Sequence, residues 1–273
     1  MPELPEVEIR RQYLEASSLH QPIASFDVED KKLLTTDYGT LTEGLMGRSF
    51  VGTRRVGKNL FVFTDDPEII VRMHFGMTGD LAYYHSSLDR PRFARIVFGF
   101  ENGFNLGFLC PRKFERVGLV TDVDAFLREK KIGPDGLDIT PEELGGRVRR
   151  RKAPLKPVLM DQATTAGLGN WIVDEVLYQA RLHPEKPTHT LTDTEVDALH
   201  EAIRLVLETA IRHEATYRHF PGSFLIHARE WDDRPPHDDP DAHKFCPRCR
   251  TRIERSVVGG RTTLYCPSCQ TLP

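Results

Sequence analysis

The sequence lacks several features that would assign it to other protein classes. No apolar run approaches the about 18 residues that a membrane-spanning helix needs, so no membrane association is expected. The first six residues, Met-Pro-Glu-Leu-Pro-Glu, carry acids where a secretory signal requires a basic patch and an apolar stretch. Only five cysteines occur in 273 residues, and this odd, low number argues against a disulfide framework. We therefore expect a cytoplasmic protein.

An overall excess of positive charge is also missing. The chain has 37 Lys and Arg against 40 Asp and Glu, whereas proteins that bind phosphates usually carry more cations than acids. The charges are segregated, however, because residues 147–156 and 244–261 each contain six cations, while residues 230–241 contain six acids. Each basic segment is compatible with either a solvated helix face or a phosphate-binding surface.

The length and the periodicity of apolar residues divide the chain into two parts. At about 150 residues per domain, 273 residues suggest two domains with a possible small addition. Short alternating segments between residues 22 and 119 predict an antiparallel β-sandwich or barrel, and the period becomes helical after Thr121. We place the domain boundary near residue 135.

Turn and capping signals define the individual elements. Asn102-Gly103 between alternating apolar residues predicts a hairpin with a two-residue turn, and Thr192 with Glu195 forms a capping box. Strands are predicted at 23–28, 59–63, 69–74 and 81–84; helices are predicted at 5–14, 122–131, from 140, at 155–161 and 171–180, and from 192.

The strongest local motif is a pair of Cys-x2-Cys sequences separated by sixteen residues. This spacing places four thiolates in a tetrahedron at about 2.3 Å from one Zn²⁺, with no position left for a substrate, so the zinc is expected to be structural. Between the two pairs, Gly259-Gly260 allows a tight turn and Arg261 can bind a phosphate. Cys110 is expected to be a packed thiol. The predicted zinc ligands are Cys246, Cys249, Cys266 and Cys269.

The N-terminus contains a candidate nucleophile. Removal of Met1 would leave Pro2 with a secondary α-amine, whose pKa lies far below that of a lysine, so the amine can attack a sugar carbon near neutral pH. Glu3 beside it is a candidate general acid. Taken by itself, the same stretch is better explained as an ordinary helix start.

Six segments occur together, in order, as in one known family. They are MPELPEVE at 1–8, GKNL at 57–60, HFGMTG at 74–79, PRKF at 111–114, MDQ at 160–162 with GLGN at 167–170, and the terminal cysteine hairpin. The chain thereby resembles, nearly from end to end, the formamidopyrimidine-DNA glycosylase / endonuclease VIII family of base-excision repair enzymes.

The resemblance implies a fold and its division into domains. The fold class is α+β, with an N-terminal antiparallel β-sandwich that bears an N-terminal helix, followed by a helix-two-turn-helix domain with a zinc-finger hairpin. The implied domains are a catalytic domain at 1–135, a helix-two-turn-helix DNA-binding domain at 136–235 and a zinc finger at 236–273.

The resemblance also implies roles for ten residues outside the zinc site. The implied catalytic residues are the nucleophile Pro2, the acidic residues Glu3 and Glu6, and the cation Lys58. Met77, Arg112 and Phe114 would fill the gap left by a nucleotide flipped out of the duplex, because an apolar wedge recovers part of the lost stacking. Asn170 and Arg261 would bind DNA phosphates, and Lys156, which falls within the family's basic stretch, would also contact DNA.

The function implied is that of a DNA glycosylase and abasic-site lyase, monomeric and associated with the nucleoid, that acts on damaged double-stranded DNA. One alternative is a non-catalytic damaged-DNA-binding protein, which would not require Pro2, Glu3 and Lys58 together. Another is a zinc-ribbon RNA-binding protein, which leaves the first 120 residues unexplained.

The sequence departs from the family pattern at three places. Cys110 stands where an Asp is expected, Lys113 replaces a common Arg, and the segment after Tyr217 is short for the flexible cover associated with recognition of oxidised purines. We therefore expect weak excision of 8-oxoguanine.

Overall fold

The computed structural model describes residues 2–229 and 244–272. The predictions about Met1, the acidic segment and the boundary at 235 fall outside these residues. The described chain forms two compact units. The first unit contains Glu6–Lys130 together with Pro2, and the second contains Glu3–Pro5 together with the chain from Lys131 onward.

The first unit consists mainly of two antiparallel four-stranded sheets. Their strand orders are β1-β6-β7-β5 and β2-β3-β4-β8. A helix, α1, precedes the strands in sequence, α2 lies between β1 and β2, and α3 follows β8. The elements are α1 (Leu4–Ser18), β1 (Ile23–Val28), α2 (Tyr38–Leu45), β2 (Phe50–Val56), β3 (Asn59–Thr64), β4 (Ile70–His74), β5 (Asp80–Tyr84), β6 (Ala94–Phe100), β7 (Asn105–Leu109), β8 (Arg116–Val120) and α3 (Val123–Glu129).

The two sheets share one apolar core, which confirms the predicted β-sandwich. Phe50 of one sheet and Phe98 of the other are buried, and their ring centroids lie 5.5 Å apart in an edge-to-face arrangement. The four predicted strands are present. The sequence analysis did not assign individual elements to β2, β8 or α2, and it ended α1 four residues too early.

The predicted two-residue turn at Asn102-Gly103 is wrong by one residue. Phe100 donates its N–H to Phe104 O at 2.8 Å, so the loop has three residues and ends at Gly103, whose φ is +84°. Directly opposed residues of antiparallel strands share one face of the sheet. A two-residue turn would have put the apolar rows of β6 and β7 on opposite faces, whereas the longer loop buries both rows in the core.

The second unit is helical apart from its C-terminal hairpin. Thr140 caps α4 through the Glu143 N–H, and Thr192 and Glu195 form the predicted capping box at the start of α7. One face of α7 is buried in an apolar core with the other helices. The elements are α4 (Pro141–Arg149), α5 (Leu155–Met160), α6 (Asn170–Gln179), α7 (Asp193–Arg212), β9 (Glu254–Val258) and β10 (Arg261–Tyr265).

The helices of the described residues include none that is long and apolar enough to cross a membrane. The longest, α7, has 20 residues, and its exposed face carries many charged side chains.

Candidate active site and nucleic-acid contacts

The carboxylate of Glu3 lies at the N-terminus of α6. Its two oxygens accept the N–H groups of Trp171 at 3.3 Å and Ile172 at 3.4 Å, and the side chain is only 3% exposed. Gly169, the residue that precedes α6, offers no side chain to cap these donors. A carboxylate is well suited to this place, because the N-terminus of a helix carries a partial positive charge. Glu3, the residue after Pro2 in the sequence, is therefore fixed at the start of α6.

Two glycines make this approach possible. A Cβ at Gly169 would lie 2.2 Å from the carboxyl carbon of Glu3, and a Cβ at Gly167 would lie 2.6 Å from the Leu4 side chain. Gly167 also has a φ of +103°, which L side chains rarely adopt. In the sequence these glycines belong to the GLGN motif at 167–170. Because Gly167 and Gly169 have no side chains, Leu4 and Glu3 can pack directly against them.

The other predicted catalytic residues belong to the first unit. Pro2 is buried, and Glu6 is half-buried in the first turn of α1. Lys58 is half-buried in the two-residue turn that joins β2 to β3. Gly57, the other residue of this turn, has a φ of +57°.

His74, at the end of β4, lies in the field of Lys58, and the sequence analysis did not single it out. Burial, and after it the positive charges of Arg72, Lys58 and Arg116, together lower the pKa of His74 to about 4. Its Nδ1 accepts the Gly76 N–H at 3.2 Å, which leaves the proton of the neutral ring on Nε2. His74 is therefore a neutral hydrogen-bond donor within a group of cations.

The three residues predicted to form a wedge are exposed on two loops of the first unit. Met77 is 38% exposed and Phe114 is 51% exposed, so neither is a core residue. The Arg112 guanidinium lies 5.4 Å from the centre of the Phe114 ring. We call residues 75–79 the β4–β5 loop and residues 110–115 the β7–β8 loop.

Arg261 is exposed at the tip of the C-terminal hairpin. The turn consists of Gly259 and Gly260, with φ values of +58° and +74°, as a type I′ turn requires. The tip packs on α5, because a Cβ at Gly259 would lie 2.7 Å from Pro157. Asn170, the first residue of α6, donates its side-chain N–H to Thr262 O at 3.0 Å. Within the second unit, Asn170 and the turn with Arg261 thus come together.

The four cysteines of the hairpin form one cluster. All four sulfur atoms lie within 4.8 Å of one another, and the Cys249 and Cys266 Sγ atoms are 3.5 Å apart. Thiolates about 2.3 Å from a tetrahedral Zn²⁺ require sulfur separations of this size, so the donor set fits zinc. The cluster holds a single structural zinc, as predicted. Cys110 is fully buried elsewhere, and burial raises the pKa of its thiol to about 12, which agrees with a packed cysteine.

Comparisons with known proteins agree with this arrangement. The family model of the formamidopyrimidine-DNA glycosylase N-terminal domain matches residues 1–117, that of the formamidopyrimidine-DNA glycosylase H2TH domain matches residues 132–220, and that of the zinc finger found in FPG and IleRS matches residues 244–272. The formamidopyrimidine-DNA glycosylase of Streptococcus pneumoniae strain R6 is 34% identical over 275 residues, which covers 99% of each chain. The chain belongs to the formamidopyrimidine-DNA glycosylase / endonuclease VIII family of base-excision repair DNA glycosylases.

Other members of the family are similar along the whole chain. The Arabidopsis thaliana protein is 32% identical over 292 residues, which covers all of this chain and 71% of that protein. The Lactococcus lactis enzyme, solved non-covalently bound to DNA that contains an AP site, has a TM-score of 0.86 with 28% identity. It covers 99% of this chain and is itself covered completely. The predicted fold class, including the helix-two-turn-helix domain and the zinc-finger hairpin, is confirmed.

Lys156, which the resemblance assigns to DNA binding, has its hydrogen-bond partners within the second unit, and its contact with DNA stays a prediction. Its side chain is fully buried, and the ammonium donates to Asp174 Oδ1 at 2.7 Å, to Thr262 O at 2.8 Å and to Thr263 Oγ1 at 2.9 Å. An ammonium has three N–H donors, and here all three are directed to acceptors within the protein. Asp174 in turn accepts the Leu264 N–H. Lys156 and Asp174 therefore hold β10 against α5 and α6, next to the turn that precedes Arg261.

Proposed function

We propose that this protein is a DNA glycosylase with abasic-site lyase activity, and that it removes damaged bases from double-stranded DNA through the amine of Pro2. The observation that carries the proposal is the fixed carboxylate of Glu3 at the N-terminus of α6, in the residue that follows the candidate nucleophile in the sequence. Family membership supports it, as do the names of similar structures, which are complexes with DNA that contains an AP site or a formamidopyrimidine lesion.

The reaction begins with the unprotonated amine of Pro2. Its lone pair attacks C1′ of the damaged nucleotide, the bond from C1′ to the base breaks, and the base leaves with the bonding electrons and a proton. The bond between C1′ and the ring oxygen of the sugar then breaks, and its electron pair stays with the oxygen. This step gives an iminium ion between Pro2 and the opened sugar. The iminium acidifies C2′, whose deprotonation expels the 3′ phosphate and cleaves the strand.

Acidic and basic side chains assist these steps. Glu3 exchanges protons with the sugar, and its negative charge stabilises the positive charge that develops at C1′. Glu6 is proposed as the second catalytic acid. Lys58 is proposed to bind the phosphate of the damaged nucleotide, and the neutral Nε2–H of His74 nearby suits the same anion.

The remaining contacts are proposed to hold the distorted DNA. Met77, Arg112 and Phe114 fill the space of the extruded nucleotide, which supports the stack that remains. Asn170 and Arg261 bind phosphates, because one lies at a helix N-terminus and the other extends from an exposed turn. We retain the domain division 1–135, 136–235 and 236–273, a monomer, and a nucleoid location as parts of this proposal.

The decisive experiment is borohydride trapping on a duplex that contains an abasic site. Borohydride reduces an iminium to a stable amine, so we expect a covalent protein–DNA adduct that peptide mapping assigns to Pro2. A variant with one residue added before Pro2 should form no adduct, yet it should still bind DNA. An adduct at Lys58, or none from protein whose N-terminus is confirmed to be Pro2, would contradict the mechanism. Duplex binding without any turnover would favour the non-catalytic alternative.

A further inference from the structure

The two loops that carry the wedge residues are in contact within the first unit. A Cβ at Gly76 of the β4–β5 loop would lie 2.6 Å from the carbonyl carbon of Phe114 in the β7–β8 loop. Gly76 also has a φ of +55°. The backbones of the two loops therefore approach as closely as a glycine permits. Met77 and Phe114 extend from these two adjacent loops.

A buried carboxyl lies where the loops meet. Glu115 is 0% exposed, and its Oε1 accepts the hydroxyl of Thr78 at 3.3 Å. A Cβ at Gly79 would lie 2.8 Å from Glu115 Cγ, so the β4–β5 loop closes directly over this side chain. Burial and then the charge of Glu115 raise the pKa of the Cys110 thiol, which places the carboxyl near the start of its own loop as well. Glu115 thus interacts with both loops.

Stability alone does not account for an acid at this place. Glu115 Oε2 is buried and has no hydrogen-bond partner among the described residues. A buried polar oxygen without a partner destabilises the folded state, and an apolar side chain of similar size would avoid this cost. Unsatisfied buried groups of this kind call for a functional explanation.

The β4–β5 loop is also fixed from its other side. Arg10 of α1 donates to Gly79 O at 3.0 Å, pairs with Asp80 at 3.1 Å and lies over the ring of Phe75. These contacts hold the loop against the helix that follows Pro2. They do not connect it to the β7–β8 loop, and Glu115 supplies a side-chain connection through Thr78.

We propose that Glu115 is a positioning residue that joins the β4–β5 and β7–β8 loops, so that Met77 and Phe114 enter damaged duplex DNA as one wedge. The inference rests on the proposed function, because that function assigns these side chains to the gap left by the flipped nucleotide. Without Glu115, the two loops would keep their backbone contact at Gly76 but lose the side-chain connection that fixes Met77 relative to Phe114. The free energy of wedge insertion would then include the cost of ordering the two loops.

The test compares Glu115→Ala with Glu115→Gln on two substrates. Glu115→Ala should lower base excision from a lesion-containing duplex by about tenfold to about a hundredfold, because a misplaced group far from the reacting atoms has an effect of this size. Cleavage of a single-stranded abasic oligonucleotide, which has no stack to open, should be unchanged. Glu115→Gln keeps an acceptor for Thr78 and should retain most of the duplex activity.

A second measurement does not depend on catalysis. A 2-aminopurine next to a non-cleavable abasic analogue becomes brighter when a wedge unstacks it, and Glu115→Ala should reduce this increase at saturating protein. Val62→Ala, a core change in β3, serves as a control for lost stability and should leave the fluorescence unchanged. If Glu115→Ala affects duplex and single strand equally, or leaves the fluorescence increase intact, the inference is wrong. A wild-type protein that brightens the probe without cleaving any strand would instead contradict the proposed function.

Discussion

The position of the Glu3 side chain depends on the backbone groups around it. Glu3 is held by two backbone N–H groups of α6, and this contact exists because Gly169 has no side chain. The φ of Gly169 is −132°, which any residue can adopt. The three atoms nearest to a Cβ there all belong to the carboxyl group of Glu3.

The Gly169→Ala variant should therefore displace Glu3 without unfolding the protein. We expect strand cleavage at abasic sites to fall by about tenfold or more, while DNA affinity changes little, because the phosphate contacts remain. Gly146→Ala in α4 is the matched control. No atom lies within 4 Å of its Cβ position, so it should be fully active and about 0.5–1 kcal/mol more stable. Equal activity of the two variants in a single-turnover assay would contradict this role of Glu3.

Lys156 and Arg261 both lie near the hairpin turn, and we expect them to have different roles. Lys156 should stabilise the fold, and Arg261 should bind a DNA phosphate. Lys156→Met leaves the buried carboxylate of Asp174 with Arg229 as its remaining cation, so the free energy of unfolding should fall, by less than the about 3–5 kcal/mol of a fully unpaired buried charge. The slope of log affinity against log salt for DNA should not change, because Lys156 releases no counterion. Arg261→Ala should leave the stability unchanged and should reduce the magnitude of that slope by about 0.9. If the salt dependence of DNA affinity were weaker in Lys156→Met than in the wild type, Lys156 would be a phosphate contact.

At the scale of elements, α6 organises the second unit. Its N-terminus receives Glu3, while Asp174 connects it to the hairpin, and Glu175 accepts the N–H groups of Leu225 at 3.0 Å and Ile226 at 2.8 Å. The segment after α7 is thereby attached to the helix core. Two adjacent acids in one helix thus fix two different chain segments.

Glu175 should make stability depend on pH. Burial raises its pKa from 4.5 in the unfolded chain to about 7, although its hydrogen bonds oppose the shift. The folded state therefore binds a proton more tightly, so this contribution is full below pH 4.5 and is lost as the pH rises through about 7. Chemical denaturation of wild type and Glu175→Gln across this range should show that the stability difference decreases with pH. A difference that does not vary would rule out the titration of Glu175.

At the scale of the whole molecule, metal binding and lesion choice depend on how segments pack. The four cysteines precede and follow the β9–β10 hairpin in the sequence, so their cluster fixes the position of the hairpin. Arg261 is the first residue after its turn. The segment after Tyr217 is packed into the helical core, where Phe220, Phe224 and Ile226 are buried. The described residues 217–229 therefore do not supply a loose cover for a base.

Loss of the zinc should weaken DNA binding but not the chemistry. Replacing Cys266 with Ser removes one of four thiolates, so the hairpin should lose its metal and Arg261 its fixed position. We expect about one zinc per wild-type chain by elemental analysis and less in the variant. DNA affinity should fall, while strand cleavage at saturating enzyme should be retained. Zinc-free wild-type protein that binds DNA normally would contradict this.

Lesion preference follows from the packed segment after Tyr217. A segment that is already buried in the core is unable to fold over an extruded base, so we expect 8-oxoguanine to be excised more slowly than ring-opened purines, oxidised pyrimidines or abasic sites. A side-by-side kinetic panel on duplexes that differ only in the lesion provides the measurement. If 8-oxoguanine opposite cytosine were the best substrate, this inference would be wrong.

The sequence by itself determined the features that depend on neighbouring residues. Alternation of apolar residues gave the predicted strands, Thr192 and Glu195 gave the start of α7, and the cysteine spacing gave the zinc site. These signals act over a few residues, or through a metal whose geometry is known in advance. The resemblance to the family then predicted the fold class.

The contacts of the charged residues are known only from the folded chain. The basic segment that contains Lys156 is ambiguous as a sequence, and the three acceptors of its ammonium include two from residues more than 100 positions away. The same holds for Glu115, whose neighbour Thr78 is 37 residues distant, and for the three-residue loop at Gly103, which pairing across the sheet selected. Burial and hydrogen-bond partners arise from the packing of remote segments, and local sequence carries no record of that packing.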